Sequence, residues 1–245
     1  MASLARLLRA ATIEDHEEIL NAANIALKDS PDDASVHRAR VVALLKLDRF
    51  DDVLRVLDGT SEKMRAACVA ERGYALYKGG KLEEARACLP SQLAGAEESL
   101  AMSHLVAQVA YRSENFKYAH EIYQHLASRV GQGSLEERDL MINTTAALAQ
   151  LTWQNRGAAD IAVPGKLDTF ELAYNAACAA IACGRLPRAS SLLERATRLC
   201  DSSDLSDSEK QAEMVSIMAQ QAYVYSLRGM KAEAWAIYGR LSGAM

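Results

Sequence analysis

One small residue returns along this chain at steps close to 34, and that spacing decides what the chain can become. Four segments share a polar or glycine turn, an apolar residue, a small residue three places on (four in the last segment), and a bulky apolar residue four places further. They are Gly80-Lys81-Leu82-Glu83-Glu84-Ala85 with Leu89, Glu114-Asn115-Phe116-Lys117-Tyr118-Ala119 with Tyr123, Gly184-Arg185-Leu186-Pro187-Arg188-Ala189 with Leu193, and Gly229-Met230-Lys231-Ala232-Glu233-Ala234 with Tyr238. Asp48-Arg49-Phe50-Asp51-Asp52-Val53 with Leu57 is a weaker copy, and Ile19 with Ala23 a degenerate one. The key residue stands at 19, 53, 85, 119, 189 and 234, giving steps of 34, 32, 34, 70 and 45. A unit of this length holds two helices and cannot bury its apolar stripe alone, so its copies must stack. Ala85, Ala119, Ala189 and Ala234 let paired helices approach closely, and the bulky residue four places on is expected to fill the next groove. Gly80, Gly184 and Gly229 suit the left-handed conformation that ends a helix, a role Asn115 is expected to fill in its own copy.

The period and the A-x-x-x-F element resemble the tetratricopeptide repeat. The resemblance covers nearly the whole chain, although only Gly73 matches the first-helix glycine and the signature tryptophan is missing from every copy. It implies an all-α fold, a right-handed superhelix of tetratricopeptide-like helical hairpins (an α-solenoid). Residues 1–245 are expected to form a single repeat domain of about six to seven hairpins. The 70-residue step contains a helical stretch from Leu135 to Leu151, followed by an irregular loop near 153–168 where a second helix has degenerated. The 45-residue step is expected to hold its extra residues at 201–209, where four acids and four serines read as a solvated loop.

Composition agrees with helices. Alanine (44) and leucine (30) dominate, against 13 glycines and 4 prolines. A net charge of -4, with no run of three Lys/Arg, leaves no basic footprint for nucleic acid. No stretch reaches the roughly 18 apolar residues of a membrane span. Five cysteines without a C-x-x-C pair read as buried hydrophobes in a reducing compartment, which makes the cytoplasm the expected location. Met1–Thr12, with Arg6 and Arg9 but no acid, reads better as the start of a helix than as a transit peptide.

Catalytic and metal motifs fail on geometry. His120 and His125 stand five apart, about 140° around a helix, whereas a zinc-binding helix needs them four apart on one face. Tyr123 between them belongs to the core pattern, so both histidines are expected at the surface. Cys178 and Cys183 share a helix at the wrong spacing for zinc, and no nucleophile elbow occurs. No enzymatic activity, cofactor or metal is expected.

One region is more specific than the general repeat. Glu136-Glu137-Arg138 and Asn143 lead to Asp168-Thr169-Phe170-Glu171-Leu172-Ala173-Tyr174-Asn175-Ala176-Ala177-Cys178, and then to Leu192-Leu193-Glu194-Arg195-Ala196 and Leu199-Cys200. This order resembles the amino-terminal repeat domains of the family of the seventy-two-kilodalton subunit of the signal recognition particle. The resemblance implies a protein–protein scaffold that binds the carboxy-terminal part of the sixty-eight-kilodalton subunit. Such a scaffold supports particle assembly and co-translational targeting to the endoplasmic reticulum. It also implies that RNA is held by a separate lysine-rich region, absent from these residues, so that the chain is a fragment of a longer protein. The particle works in the cytoplasm and associates with the endoplasmic reticulum, without inserting in the membrane.

In stacked hairpins the first helix of each pair lines the concave side. By register the expected partner-binding residues are Arg38, Val42 and Leu45, then Tyr74 and Tyr77, then His104, Gln108 and Tyr111, and farther along Asn143, Tyr174, Cys178 and Tyr223. Tyrosine suits such a stripe because it offers an apolar ring and a polar tip at low entropic cost. A generic cochaperone-like adaptor that binds a peptide tail is the alternative, weakened by the scarcity of cations on that stripe. Asn175 is expected to be a buried amide tying the 153–168 loop to the helices.

Overall fold

The computed structural model describes residues 15–90, 99–131, 134–155 and 167–243. The chain divides after Glu114 into two compact units. Among the described residues there are thirteen helices and no strand.

The first unit contains α1 (His16–Asp29), α2 (Ala34–Lys46), α3 (Phe50–Asp58), α4 (Glu62–Ala67), α5 (Val69–Lys78), α6 (Leu82–Cys88) and α7 (Leu100–Arg112). Each helix packs on its neighbour in the chain or on the next but one, the layering expected of stacked hairpins. Asp15 and Asp33 open α1 and α2, each side chain accepting two backbone N–H bonds. α4 and α5 are separated by a single residue, the fully buried Cys68. Val53 and Ala85, at the key positions of the repeat, are fully buried, whereas in the degenerate first copy Ile19 is half-buried and Ala23 beyond it is fully buried. Gly73 is buried for a spatial reason: a Cβ there would come within 2.6 Å of the Leu89 side chain and 3.3 Å of Leu105.

The second unit contains α8 (Phe116–Ala127), α9 (Leu135–Gln154), α10 (Phe170–Ala182), α11 (Leu186–Asp201), α12 (Asp207–Leu227) and α13 (Lys231–Gly243). One core of this unit gathers Ala173, Ala177, Ala189, Leu193, Ala196 and Ile217. α9 packs against both α8 and α10, so one long helix serves two neighbours. Three of its threonines, Thr144, Thr145 and Thr152, turn their hydroxyls onto carbonyls one turn back, which hides the polar group without a partner helix. Most of the loop expected near 153–168 lies outside the described residues, and so does the start of the chain read as a helix.

Four turns share one backbone design. The residue with positive φ donates its N–H three residues back, and its successor donates five residues back. Gly80 and Lys81 reach Tyr77 and Leu76, while Gly184 and Arg185 reach Ile181 and Ala180. Asp48 and Arg49 reach Leu45 and Leu44, while Gly229 and Met230 reach Ser226 and Tyr225. This is the Schellman closure of a helix. The three glycines have φ between 70° and 77°, as their register predicts.

Three expectations need correction. Asn115 does not take the left-handed position: Glu114 does, at φ 58°, as Asp48 does at 55°. Asn115 instead caps α8, its side-chain oxygen accepting the Tyr118 N–H at 3.4 Å. The acidic stretch 201–209 is loop only at its centre, residues 202–206. Asp201 ends α11 and Asp207 begins α12, because Ser206 and Glu209 form a reciprocal capping box that pulls the acids into a helix start. Tyr238 does not fill a groove; it stands 40% exposed with its ring edge against Trp235. α13 packs on α12 and buries Ala234 and Ile237, while Tyr238, one turn on from Ala234, stays at the open edge of that face.

Candidate partner-binding stripe

The twelve residues expected to bind a partner fall in both units: Arg38 to Tyr111 in the first, Asn143 to Tyr223 in the second. In the first unit, two contacts join the faces of three helices. Arg38 on α2 reaches the carboxylate of Glu71 on α5 at 2.9 Å. Arg112 on α7 lies over the Tyr77 ring of α5, its guanidinium carbon 5.2 Å from the ring centre. Arg38, Val42 and Leu45 recur along one side of α2, and His104, Gln108 and Tyr111 along one side of α7, each with 3–4 residue spacing. Glu71, Tyr74 and Tyr77 do the same on α5. The two contacts join these faces of α2 and α7 to that of α5, and together the three faces are taken as one stripe.

Exposure sorts its members. Val42 and Tyr74 are open to solvent, while Leu45, Tyr77, His104, Gln108 and Tyr111 are half-buried and form the floor. The Tyr74 ring is braced edge-on by Phe50 at 6.3 Å. Glu71 is nearly covered while Arg38 is exposed, so the pair presents a guanidinium. Such a stripe offers aromatic faces with positive charge at both borders.

Glu71 and Arg112 were not among the expected residues. Both continue the register already read: Glu71 lies three before Tyr74, and Arg112 four after Gln108. Their partners across the helices carry no trace in sequence spacing.

In the second unit, Tyr174 and Cys178 sit one turn apart on α10, half-buried, with the tyrosine hydrogen-bonded to the thiol. Burial pushes the Cys178 thiol up to about 11, and the Tyr174 bond only partly offsets this. The sulfur is therefore a neutral wall at physiological pH. Asn143 is half-buried on α9, and Tyr223 is exposed on α12. Asn175 donates its amide to the Ile142 carbonyl at 3.2 Å and so ties α10 to α9; most of the loop it was expected to hold lies outside the described residues. The same carbonyl also accepts from the Thr145 hydroxyl of its own helix at 3.0 Å, since a carbonyl oxygen has two lone pairs.

The histidine pair behaves unequally. His125 is exposed as expected, but His120 is half-buried, with Nδ1 3.3 Å from the Thr144 carbonyl of α9. No group of three or more His, Cys, Asp or Glu among the described residues could hold a metal ion. None of the described helices is long and apolar enough to cross a membrane.

Comparison with known proteins adds to this geometry. Residues 12–150 match the family model of the SRP TPR-like repeat. The chain is 30% identical to signal recognition particle subunit SRP72 of Caenorhabditis elegans, in an alignment covering 98% of this chain and 37% of that protein. It is 28% identical to SRP72 of Canis lupus familiaris and 27% identical to SRP72 of Homo sapiens, each over 93% of this chain and 34% of the relative. The chain thus spans about a third of the length of these curated relatives.

Proposed function

The chain belongs to the SRP TPR-like repeat family, and on that premise we propose that it is the docking domain of a signal recognition particle subunit of the SRP72 kind. Its role is to hold the carboxy-terminal part of the sixty-eight-kilodalton subunit, and so to build a particle that works in the cytoplasm and at the endoplasmic reticulum. The work is binding, with no catalysis and no cofactor.

The stripe across α2, α5 and α7 carries this reading. Three tyrosines, Tyr74, Tyr77 and Tyr111, stand on helices whose faces are joined by Arg38–Glu71 and Arg112–Tyr77. Rings held in place before binding lose little entropy on it, which is how a few anchors come to dominate an interface. The guanidiniums at the borders favour a segment with apolar side chains at its centre and acidic ones at its flanks. Tyr174 and Cys178 give the second unit a smaller patch of its own. The overall charge of -4 suits a domain that grips protein and leaves RNA to other parts of the particle.

The test is a calorimetric titration with the purified carboxy-terminal part of the sixty-eight-kilodalton subunit. Tyr77→Ala and Tyr111→Ala should each weaken binding about thirtyfold, near 2 kcal/mol, with the thermal midpoint nearly unchanged. Parent-like binding by both variants would place the segment off the stripe. Submicromolar, salt-dependent RNA affinity of these residues would contradict the division of labour.

A further inference from the structure

On the other side of α2 lies a second site. Arg38, Val42 and Leu45 face the stripe, whereas His37, Arg40 and Leu44 lie about a third of a turn away. They floor a cleft of about 570 Å³ walled by α1 and α3. The size is that of a pocket for a few side chains of a bound segment.

The cleft is rich in guanidinium and short of acceptors. Arg40, Arg49 and Arg55 line it against two carboxylates, Glu17 and Asp52. Asp52 is already shared, holding Arg49 at 2.5 Å on one oxygen and Arg55 on the other. Arg40 has no ion-pair partner among the described residues, and its Nε–H is shielded from solvent without an acceptor. A shielded donor left without a partner costs more than an average hydrogen bond gains, more still on a charged group. His37 differs: its Nε2 donates to the Pro31 carbonyl at 2.7 Å, which leaves its shielded Nδ1 an acceptor without a donor.

We propose that this cleft docks an acidic peptide segment, with a carboxylate of that segment accepting from Arg40. The arginine excess favours an anion, and the planar guanidinium fits a carboxylate edge. The surrounding groups favour a peptide over a small ion. Asn21 and Asn24 present amides that pair with a peptide backbone, while Leu20, Leu44 and Val56 offer apolar wall to a neighbouring side chain. Glu17 is exposed in the first turn of α1, where it can turn to water as the segment enters. The site stands independently of the stripe, so either can be occupied or fail alone.

The Arg40 Nε–H resonance of the isotope-labelled chain reports binding directly. Three probes are titrated: Ac-Leu-Glu-Glu-Leu-NH2, the same peptide with both glutamates replaced by glutamine, and inorganic phosphate. The acidic peptide should move the resonance saturably, the glutamine peptide should not, and phosphate should not saturate in the same range. Arg40→Lys should weaken the acidic peptide about tenfold, because it keeps the charge and loses the planar fork. Arg38→Gln, on the other face, should leave that affinity unchanged. The comparison of peptides on the unaltered chain decides the matter even if Arg40→Lys fails to fold. Three results overturn the proposal: no saturable shift up to about 10 mM acidic peptide, equal binding of the glutamine peptide, or saturation by phosphate alone.

Discussion

The guanidinium of Arg112 lies 5.2 Å from the centre of the Tyr77 ring and so joins α7 to α5. Arg112 is exposed, so the contact is a modest one, about 0.5–1 kcal/mol. A double-mutant cycle of Tyr77→Ala and Arg112→Ala, read by denaturant unfolding, should return a coupling of that size. A coupling indistinguishable from zero would mean that the ring is held by its half-buried floor alone.

Close approach at Gly73 leaves no room for a methyl group. Gly73→Ala gains about 1 kcal/mol of helix propensity but drives its Cβ into Leu89, and overpacking of this kind costs about 1–3 kcal/mol. The net expectation is a loss near 1 kcal/mol. Ala189→Leu, in the fully buried core of the second unit, should lose more, since three added carbons have no open side to enter. Urea midpoints check both.

Turn residues make the opposite prediction. Glu114 occupies a left-handed conformation that glycine adopts without a Cβ penalty, so Glu114→Gly should stabilise the chain by about 0.5–1 kcal/mol. Gly184→Ala should cost a similar amount although nothing lies within 4 Å of the added methyl. Thermal unfolding of the two variants should shift in opposite directions.

Acid should loosen the start of α12. The Ser206 hydroxyl and backbone N–H both bond the Glu209 carboxylate and hold it below its ordinary value of 4.5. A depressed carboxylate contributes its stabilisation above the unfolded value and loses it as pH falls through the folded one. Amide exchange at residues 207–210 should therefore accelerate below about pH 4 relative to the helix interior. In Ser206→Ala the Glu209 carboxyl, followed by NMR, should titrate closer to its ordinary value.

The repeat was legible because packing repeats: the alanine of each turn is selected by helix approach, and the glycine by backbone sign. Asp48 and Glu114 were harder to read, since the left-handed site recurs in register while its residue changes. Ser206-Asp207-Ser208-Glu209 carries a capping signature that is plain in sequence, yet four acids and four serines in nine residues read first as loop. Glu71 and Arg112 lay beyond reach for a different reason. Which residue meets which across two helices depends on their crossing, and no one-dimensional spacing records that. The division after Glu114 is equally silent, because the step from Ala85 to Ala119 passes through it without any break in the period. The cleft under Arg40 needed three helices in place before its deficit of acceptors could be seen.

α9 carries α8 on one flank and α10 on the other. In a linear array, cooperativity is passed only between nearest neighbours, so this helix is the coupling that makes the second unit melt as one block. The Asn175 amide of α10 bonds the Ile142 carbonyl of α9, which fastens that coupling with a hydrogen bond between the helices. A lesion there, such as Leu140→Ala at a fully buried site, does not merely subtract stability. It uncouples the array, and hydrogen exchange would then resolve two melting events where the intact unit gives one.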